Sequence, residues 1–290
     1  MIWLVGSKGM LGQEVARDLE GRGLPHVDSD MDCDITDARA VGEFAAGKGI
    51  TWIVNCSAYT AVEKAESEEV KAEAVNARGP QNLATVAMAV GARIIHISTD
   101  YVFDGKGKVP YREDDPIAPI GAYGRTKAHG EALLRAAARE HFILRTAWLY
   151  GARGKNFVYT MLRLMNEKAE VSVVNDQFGC PTYAPDLAAA IGSIIASDSR
   201  AYGTYHFTNE GEITWYDFAC AIERIGRDRG RISHACTVRP IRTEDYPSKA
   251  VRPQYSVLSK DKIRSALHVD VPGWEDGLAR FFDRLEEEQK

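Results

Sequence analysis

Cysteine is scarce in this sequence, and the few residues present do not form a disulfide pattern. Five thiols give an odd number, none belongs to a C-x-x-C pair, and each is far from the next. They are Cys33, Cys56, Cys180, Cys220 and Cys236. Reduced thiols are typical of a cytoplasmic protein, and we expect this chain to be cytoplasmic.

Long hydrophobic runs and an excess of positive charge are also missing. No stretch approaches the ~20 apolar residues that a helix needs to cross a bilayer. The apolar run at the N-terminus stops at Gly6 and has no basic leader, so it does not predict a signal peptide. Lys and Arg total 36 against 41 Asp and Glu, a net charge of -5 that lacks the positive field of nucleic-acid binding proteins. We therefore expect neither membrane nor nucleic acid as a partner.

The composition that remains is that of a globular protein. Hydrophobic residues make up 45% and charged residues 27%, close to the average for soluble domains. A chain of 290 residues predicts about two domains and buries about 75% of its unfolded surface, so it needs no metal or disulfide to fold.

Short apolar segments alternate with helical patterns through the first half of the chain. The predicted strands are 2–5, 52–55, 93–97 and 142–145, and the predicted helices are 13–20, 62–75, 83–90 and 129–140. This alternation predicts an α/β protein with a parallel sheet and helices on both faces. The second half loses the alternation: helices are predicted at 156–168, 184–195 and 274–287, with loop or extended chain over 238–253.

A cluster of glycines follows the first predicted strand and opens the first helix. Gly6, Gly9 and Gly12 have the spacing G-x-x-G-x-x-G, which suits a tight strand-to-helix turn. Positions without side chains let backbone N–H groups and the helix N-terminus approach a pyrophosphate. An ordinary turn that packs a helix on a strand is the alternative, but the position after the first strand favours dinucleotide binding.

Acidic residues crowd the region some twenty residues beyond this turn. They are Asp28, Asp30, Asp32 and Asp34, and no Arg or Lys lies between Leu24 and Asp37. A carboxylate there accepts hydrogen bonds from a ribose 2′-hydroxyl and repels a 2′-phosphate, which favours NAD over NADP. Lys8 or Arg39 could still reach such a phosphate, and a solvated acidic loop remains the alternative for each aspartate.

A tyrosine and a lysine stand four residues apart, just before a predicted helix at 128–138. Tyr123 and Lys127 would share one helix face, and a neighbouring ammonium would lower the pKa of the phenol and make it a usable acid. Thr99 follows a predicted strand, where a doubly wound sheet binds its ligands. His96 and His206 are predicted to be core histidines rather than catalysts.

Motifs along nearly the whole chain resemble the extended short-chain dehydrogenase/reductase superfamily, and within it the dTDP-4-dehydrorhamnose reductase family. They are the glycine turn at 6–12, Asp34-Ile35-Thr36-Asp37, the run 55–62, the run 98–105, Tyr123-x-x-x-Lys127, Arg145-Thr146-x-Trp148, the run 175–182 and Arg252-Pro253. The resemblance implies a Rossmann-like doubly wound parallel sheet with a smaller α/β substrate-binding lobe. The implied dinucleotide-binding domain is 1–150 plus roughly 183–207, and the substrate lobe is 151–182 and 208–290.

The resemblance also implies a role for each matched residue. Cofactor contacts fall to Gly6, Gly9, Met10, Leu11, Gly12, Asp34, Ile35, Ala58, Tyr59, Tyr123 and Lys127. Substrate contacts fall to Thr99, Asp100, Trp148 and Arg252. Tyr123, Lys127 and Thr99 are the implied catalytic residues: Tyr123 protonates the developing alkoxide, Lys127 holds the ribose and lowers the tyrosine pKa, and Thr99 polarises the carbonyl.

The implied reaction is NADPH- or NADH-dependent reduction of the C4 ketone of dTDP-4-dehydro-L-rhamnose, the last step of dTDP-rhamnose biosynthesis for polysaccharides. Alternatives are a nucleotide-sugar epimerase or 4,6-dehydratase on the same scaffold, or a non-catalytic NADP-binding regulatory subunit. A dehydratase carries a second acid where this chain has Tyr101, which counts against dehydration. Some members bind magnesium at a homodimer interface, and Glu14 and Asp186 lie near those positions.

Overall fold

A computed structural model describes residues 1–287 of the chain. Its strands are β1 (Ile2–Val5), β2 (His26–Ser29), β3 (Trp52–Asn55), β4 (Arg93–Thr99), β5 (His141–Thr146), β6 (Leu149–Tyr150), β7 (Glu170–Val174), β8 (Phe178–Gly179), β9 (Thr182–Tyr183), β10 (Gly203–His206), β11 (Ile213–Thr214) and β12 (Thr237–Ile241). Its helices are α1 (Met10–Gly21), α2 (Ala38–Ala45), α3 (Val62–Ala65), α4 (Glu69–Glu73), α5 (Gly79–Val90), α6 (Ala122–Ala137), α7 (Phe157–Glu167), α8 (Ala184–Ala196), α9 (Trp215–Asp228), α10 (Asp261–Leu267) and α11 (Trp274–Glu287).

Six strands form one parallel sheet in the order β10-β5-β4-β3-β1-β2. Strand β2 lies on one side of β1, and β3, the next strand along the chain, lies on the other side. The direction in which strands are added to the sheet therefore reverses at β1. Ligands of doubly wound sheets bind at this point, outside the carboxyl ends of the strands. The predicted α/β class and parallel sheet are confirmed.

Alternate residues of each central strand enter two different apolar clusters, because successive strand side chains point to opposite faces. Ile2 and Leu4 join the cluster that includes α1 and α8, whereas Trp3 and Val5 join the cluster that includes α2, α5 and α6. Helices therefore cover both faces of the sheet, as the alternation predicts. Among residues 1–287, no helix has both the length and the apolar character needed to pass through a bilayer.

A third apolar cluster lies outside the sheet. It joins α7, β7, α9 and α11 around Met165, Phe218 and Phe281. Ile263 and Val271 instead pack with the sheet cluster, so the segment around them does not share the core of the predicted substrate lobe. The predicted division into domains otherwise stays a prediction, and its last three residues lie outside the described part of the chain.

Several boundaries differ from the sequence predictions because tertiary contacts set them. Helix α6 begins at Ala122, not after Lys127, since the Glu66 carboxylate accepts the Ala122 N–H at 2.8 Å and caps the helix from another segment. The single helix predicted over 62–75 is divided into α3 and α4, followed by a π-helical turn at Ala74–Arg78. Strand β2 was not predicted, and 238–253 is mostly loop after β12, as expected.

Candidate active site

A crevice of about 890 Å³ opens at the carboxyl ends of the central strands. Its size is that of a cofactor-binding cleft. Twelve of the predicted site residues line it: Gly6, Gly9, Met10, Leu11, Asp34, Ile35, Ala58, Thr99, Asp100, Tyr123, Lys127 and Trp148. The tertiary structure thus brings residues from six separate segments of the chain into one cavity.

The glycine turn is built by close backbone contacts that a side chain would prevent. Gly6 has φ +76°, and a Cβ there would lie 2.7 Å from the Ser57 nitrogen. A Cβ on Gly12 would lie 2.1 Å from the Gly6 carbonyl oxygen. Gly12 therefore does not line the crevice; it lets α1 begin directly behind the turn, with the N-terminus of the helix at the cavity.

Two further predicted residues, Tyr59 and Arg252, do not line the crevice. The Tyr59 backbone is held by Asn76, whose Oδ1 accepts its N–H at 2.8 Å, and the Tyr59 hydroxyl donates to Glu68 at 3.1 Å. Direct contact of Tyr59 and Gly12 with a ligand stays a prediction. Their observed contacts support the neighbouring loops.

Thr99 and Tyr123 meet inside the crevice. Thr99 ends β4, and Tyr123 lies in the first turn of α6, where its ring packs edge-on against Tyr101 with centroids 5.5 Å apart. Burial raises the pKa of the Tyr123 phenol; the hydrogen bond with Thr99 lowers this pKa, and Asp100 and Tyr101 raise it further. The phenol therefore holds its proton at neutral pH, which is the state that a proton donor requires.

Lys127 lies on the same helix face but does not perform the predicted task of lowering the tyrosine pKa. Its Nζ donates to the Ile97 carbonyl oxygen at 2.6 Å and lies 3.2 Å from His96 Nε2. Burial lowers the pKa of Lys127 to about 8, so its ammonium loses a proton more readily than that of an exposed lysine. The predicted lowering is wrong, because the pKa of Tyr123 is raised and the amine points into the sheet.

Asp100 is a buried carboxyl group on the crevice wall. Thr99 Oγ1 donates to its Oδ1 at 3.0 Å, whereas Oδ2 has no hydrogen-bond partner. Burial raises the pKa of Asp100 to about 6, against hydrogen bonds from Ser256 and Thr99 that lower it. A free acceptor on a buried carboxyl at the cavity is a suitable contact for a sugar hydroxyl.

Trp148 follows β5 at the crevice in a strained backbone conformation. Its φ of 48° lies in the left-handed region, which is unusual for a bulky side chain and is found chiefly where function requires it. Its indole stacks on Trp215 with centroids 3.6 Å apart, and Gly179 approaches the ring closely enough to exclude a Cβ. Trp215 therefore occupies one face of the indole that was predicted to contact the substrate.

A short segment of the second half of the chain is fastened beside the crevice by Glu63. Its carboxylate accepts hydrogen bonds from the Ser248 hydroxyl at 2.7 Å, from the Lys249 and Ala250 N–H groups at 2.9 and 3.0 Å, and from Arg252 at 3.2 Å. We call residues 248–252 the strap. Burial opposes ionisation, yet these hydrogen bonds lower the pKa of Glu63 to about 2, so the strap is held by a full negative charge at neutral pH.

The sequence places four aspartates in this region, and the resemblance assigns only Asp34 among them to the cofactor. Only Asp30 and Asp34 line the crevice. Asp28 faces His26, and Asp32 lines a separate groove with Lys8. Asp30 directly follows β2 at the carboxyl edge of the sheet, where its Oδ2 accepts the Lys8 N–H at 3.0 Å.

Cys56 and Lys155 also line the crevice, although neither was predicted to be a site residue. Cys56 follows the predicted strand β3, so its place at a strand end was the available signal. Lys155 had no such signal, because it lies in a loop of the second half of the chain.

The residues suggested for magnesium do not fit a metal site. Glu14 is paired with Arg284 at 2.8 Å, and both oxygens of Asp186 accept from Arg280, at 2.6 and 2.8 Å. These arginines neutralise the carboxylates that a divalent cation would need. Within the described residues 1–287, no group of three or more His, Cys, Asp and Glu side chains could hold a metal ion.

Comparison with known proteins places this geometry in a family. The family model described as RmlD substrate binding domain matches residues 1–287. The chain belongs to this family. An RmlD-family relative, a dTDP-4-dehydrorhamnose reductase of Streptomyces griseus, is 43% identical and covers 98% of this chain and 93% of its own length. A dTDP-4-keto-6-deoxy-D-glucose reductase of Streptomyces niveus is 41% identical over 98% of this chain and 97% of its own length.

A solved structure of the same family agrees closely with the fold. The dTDP-4-dehydrorhamnose reductase of Bacillus anthracis, crystallised in complex with NADP, is 37% identical, has a TM-score of 0.92 and covers 98% of each chain. The sequence-based resemblance to the reductase family is confirmed.

Proposed function

We propose that this RmlD-family protein reduces the C4 ketone of dTDP-4-dehydro-L-rhamnose to dTDP-L-rhamnose with NADPH or NADH. The observation that supports it most directly is the meeting of Thr99, Tyr123 and Lys127 in one crevice with the glycine turn. Relatives that carry this reductase name match almost the full chain. The five free thiols fit the predicted cytoplasmic location, and a homodimer stays a prediction from the resemblance.

Each residue has a task that its contacts permit. The reduced nicotinamide supplies a hydride to the ketone carbon, and negative charge develops on the ketone oxygen. Thr99 donates a hydrogen bond to that oxygen once its hydroxyl turns away from Asp100 Oδ1, and Tyr123, neutral because burial raises its pKa, delivers the proton. Lys127 binds the cofactor ribose. Asp100 and Trp148 contact the sugar nucleotide, and Arg252 supports that site from the strap.

The test is turnover of dTDP-4-dehydro-L-rhamnose, followed as loss of absorbance of the reduced nicotinamide, with dTDP-4-keto-6-deoxy-D-glucose as a parallel substrate. Stoichiometric oxidation of cofactor with formation of dTDP-L-rhamnose supports the proposal. An epimerase would instead carry tightly bound NAD through purification and return it unchanged. A regulatory subunit would bind the dinucleotide without any turnover, and either result contradicts the proposal.

We infer that Asp30 favours NADH over NADPH, because its carboxylate at the end of β2 accepts from a ribose hydroxyl and repels a phosphate. Arg39 and Lys8, the cations considered for a 2′-phosphate, do not line the crevice. Asp30→Ala should lower the ratio of kcat/KM for NADH to that for NADPH about tenfold, or about 1.4 kcal/mol. Asp28→Ala, which changes a carboxylate that does not line the crevice, is the matched control. An unchanged ratio in Asp30→Ala would show that another residue sets the preference.

A second prediction concerns the strap. In Glu63→Gln the side chain keeps its shape, but its amide NH2 would face either the N–H groups of Lys249 and Ala250 or the guanidinium of Arg252, so the strap should loosen. We expect the KM for the sugar nucleotide to rise about tenfold while the Kd of the dinucleotide stays unchanged. Glu43→Gln, which alters only an exposed pair with Arg39, serves as the control. Equal effects on both ligands would assign Glu63 a general structural role instead.

A further inference from the structure

A row of buried polar groups lies behind Lys127. Asn55 ends β3 and His96 lies in β4, and the two residues are direct neighbours in the register of these strands. Both are 0% exposed, and Lys127 is 1% exposed. Asn55 Nδ2 lies 3.0 Å from His96 Nδ1, and His96 Nε2 lies 3.2 Å from Lys127 Nζ. The row connects the loop after β3 to the crevice.

The direction of each hydrogen bond in this row follows from a backbone group. The Ser57 N–H can only donate, and it points at Asn55 Oδ1 at 3.0 Å, which fixes the orientation of the amide. The amide NH2 must then donate to His96 Nδ1. Burial lowers the pKa of His96 well below its usual value, so the ring is neutral and carries its proton on Nε2.

The Nε2–H of His96 therefore points at Lys127 Nζ. An ammonium has three donors and no acceptor, so it would place N–H against N–H at this contact. An uncharged amine has a lone pair that accepts from His96, and it still donates to the Ile97 carbonyl oxygen at 2.6 Å. Only the uncharged amine satisfies every hydrogen bond around Lys127.

The titratable groups around Lys127 do not reverse this conclusion. Glu131, one turn further along α6, raises the lysine pKa, but its carboxylate is already paired with Arg145 and Arg135. Burial raises the pKa of Cys56 at the end of β3 to about 12, so this thiol stays neutral. Tyr123 on the same helix is neutral as well. No unpaired negative charge among these groups holds a proton on the lysine.

We propose that His96, oriented by Asn55, is a positioning residue that favours the uncharged amine of Lys127 at pH 8 and above until a dinucleotide binds, so that dinucleotide binding in this range takes up a proton. The inference rests on the proposed function in that it takes the crevice to be a dinucleotide site. The proton comes from water and forms an ammonium at Nζ. The diphosphate charge of the dinucleotide favours that ammonium, which turns from the His96 N–H to acceptor oxygens of the ligand.

Titration calorimetry measures this proton directly. Binding of NADH to the purified protein at pH 8 is recorded in phosphate and in Tris, two buffers with different heats of ionisation. Because the pKa of Lys127 is about 8, we expect uptake of about half a proton per site at this pH and more at pH 9. Identical binding heats in the two buffers would overturn the proposal.

Two variants separate the role of His96 from simple support of the fold. In Asn55→Asp the carboxylate accepts from Nδ1–H, so Nε2 of His96 becomes an acceptor and Lys127 can remain an ammonium. In His96→Gln the amide oxygen can face Lys127 with the same result. Proton uptake should disappear in both variants while NADH still binds, and it should persist in His129→Gln, whose side chain is on the surface. Uptake equal to that of the parent in both Asn55→Asp and His96→Gln would contradict the proposal.

A second measurement needs no dinucleotide. In protein labelled with carbon-13 lysine, the Cε resonance that is missing from Lys127→Met should titrate near pH 8 in the parent and above pH 10 in Asn55→Asp. A parent resonance that titrates above pH 10 would overturn the inference. If the ketone is not reduced but Lys127 titrates near pH 8, the proposed reaction fails and the role of His96 stands. If the ketone is reduced but Lys127 titrates above pH 10, the proposed reaction stands and the role of His96 fails.

Discussion

Replacing Tyr123 with phenylalanine should lower kcat for ketone reduction by about 10²–10⁴-fold, the usual contribution of a general acid. The change removes only the hydroxyl, so the ring contact with Tyr101 remains. The Kd of the dinucleotide should stay within about twofold, since a phenol hydroxyl contributes little to cofactor binding compared with the glycine turn. Steady-state kinetics and fluorescence titration with the reduced cofactor measure the two quantities.

Tyr216→Phe is the matched control for this variant, because Tyr216 lies on α9 and does not line the crevice. It should reduce the ketone at the parental rate. If Tyr123→Phe also retains the parental kcat, the proton reaches the alkoxide from another group, and Asp100, with its pKa raised by burial to about 6, is the next one to replace.

The largest loss of stability should follow replacement of Glu131 by glutamine. Glu131 is 0% exposed and accepts from Arg145 Nε at 2.9 Å, from Arg145 Nη2 at 2.8 Å and from the Ser98 hydroxyl at 2.5 Å. The variant leaves the buried guanidinium of Arg145 without a counter-charge. Breaking a buried ion pair in this way costs about 3–5 kcal/mol of the free energy of unfolding, which urea denaturation measures.

The pH dependence gives this prediction a second readout. Burial alone would raise the pKa of Glu131, but Arg145, Ser98 and Arg135 lower it below its usual 4.5. The carboxylate therefore stabilises the folded protein above about pH 4.5, and this contribution is lost as the pH falls through the lowered pKa. Glu131→Gln should lack that component of acid unfolding. Glu167→Gln, which removes an exposed pair with Arg163, should cost less than about 1 kcal/mol; an equal loss in both variants would contradict the assignment.

Several parts of the site could be predicted because they depend on local sequence. The glycine spacing identified the strand-to-helix turn, since only residues without Cβ fit where Gly6 and Gly12 approach their neighbours. The apolar run at 93–97 predicted the end of a strand. Thr99 follows that run, so its position at the crevice could be predicted. The pair Tyr123 and Lys127 followed from a spacing of four residues on a helix.

Other parts could not be predicted because they depend on contacts between distant segments. Helix α6 begins six residues before the predicted start, since its cap is Glu66, more than fifty residues earlier. The pKa of Tyr123 moves opposite to the prediction, because desolvation outweighs any cation. Glu63 had no signal at all: its partners in the strap lie some 185 residues away.

The order of apolar runs, glycines and hydroxyl-bearing strand ends by itself indicated a parallel sheet with helices on both faces and a crevice at the carboxyl ends of its strands, because periodicity and backbone sterics act over a few residues. Only the tertiary structure decided which aspartates face that crevice, that arginines pair with the suggested metal ligands, and that Lys127 points at His96. Those outcomes depend on burial and on hydrogen-bond direction between strands and helices, and neither quantity exists until the chain has folded.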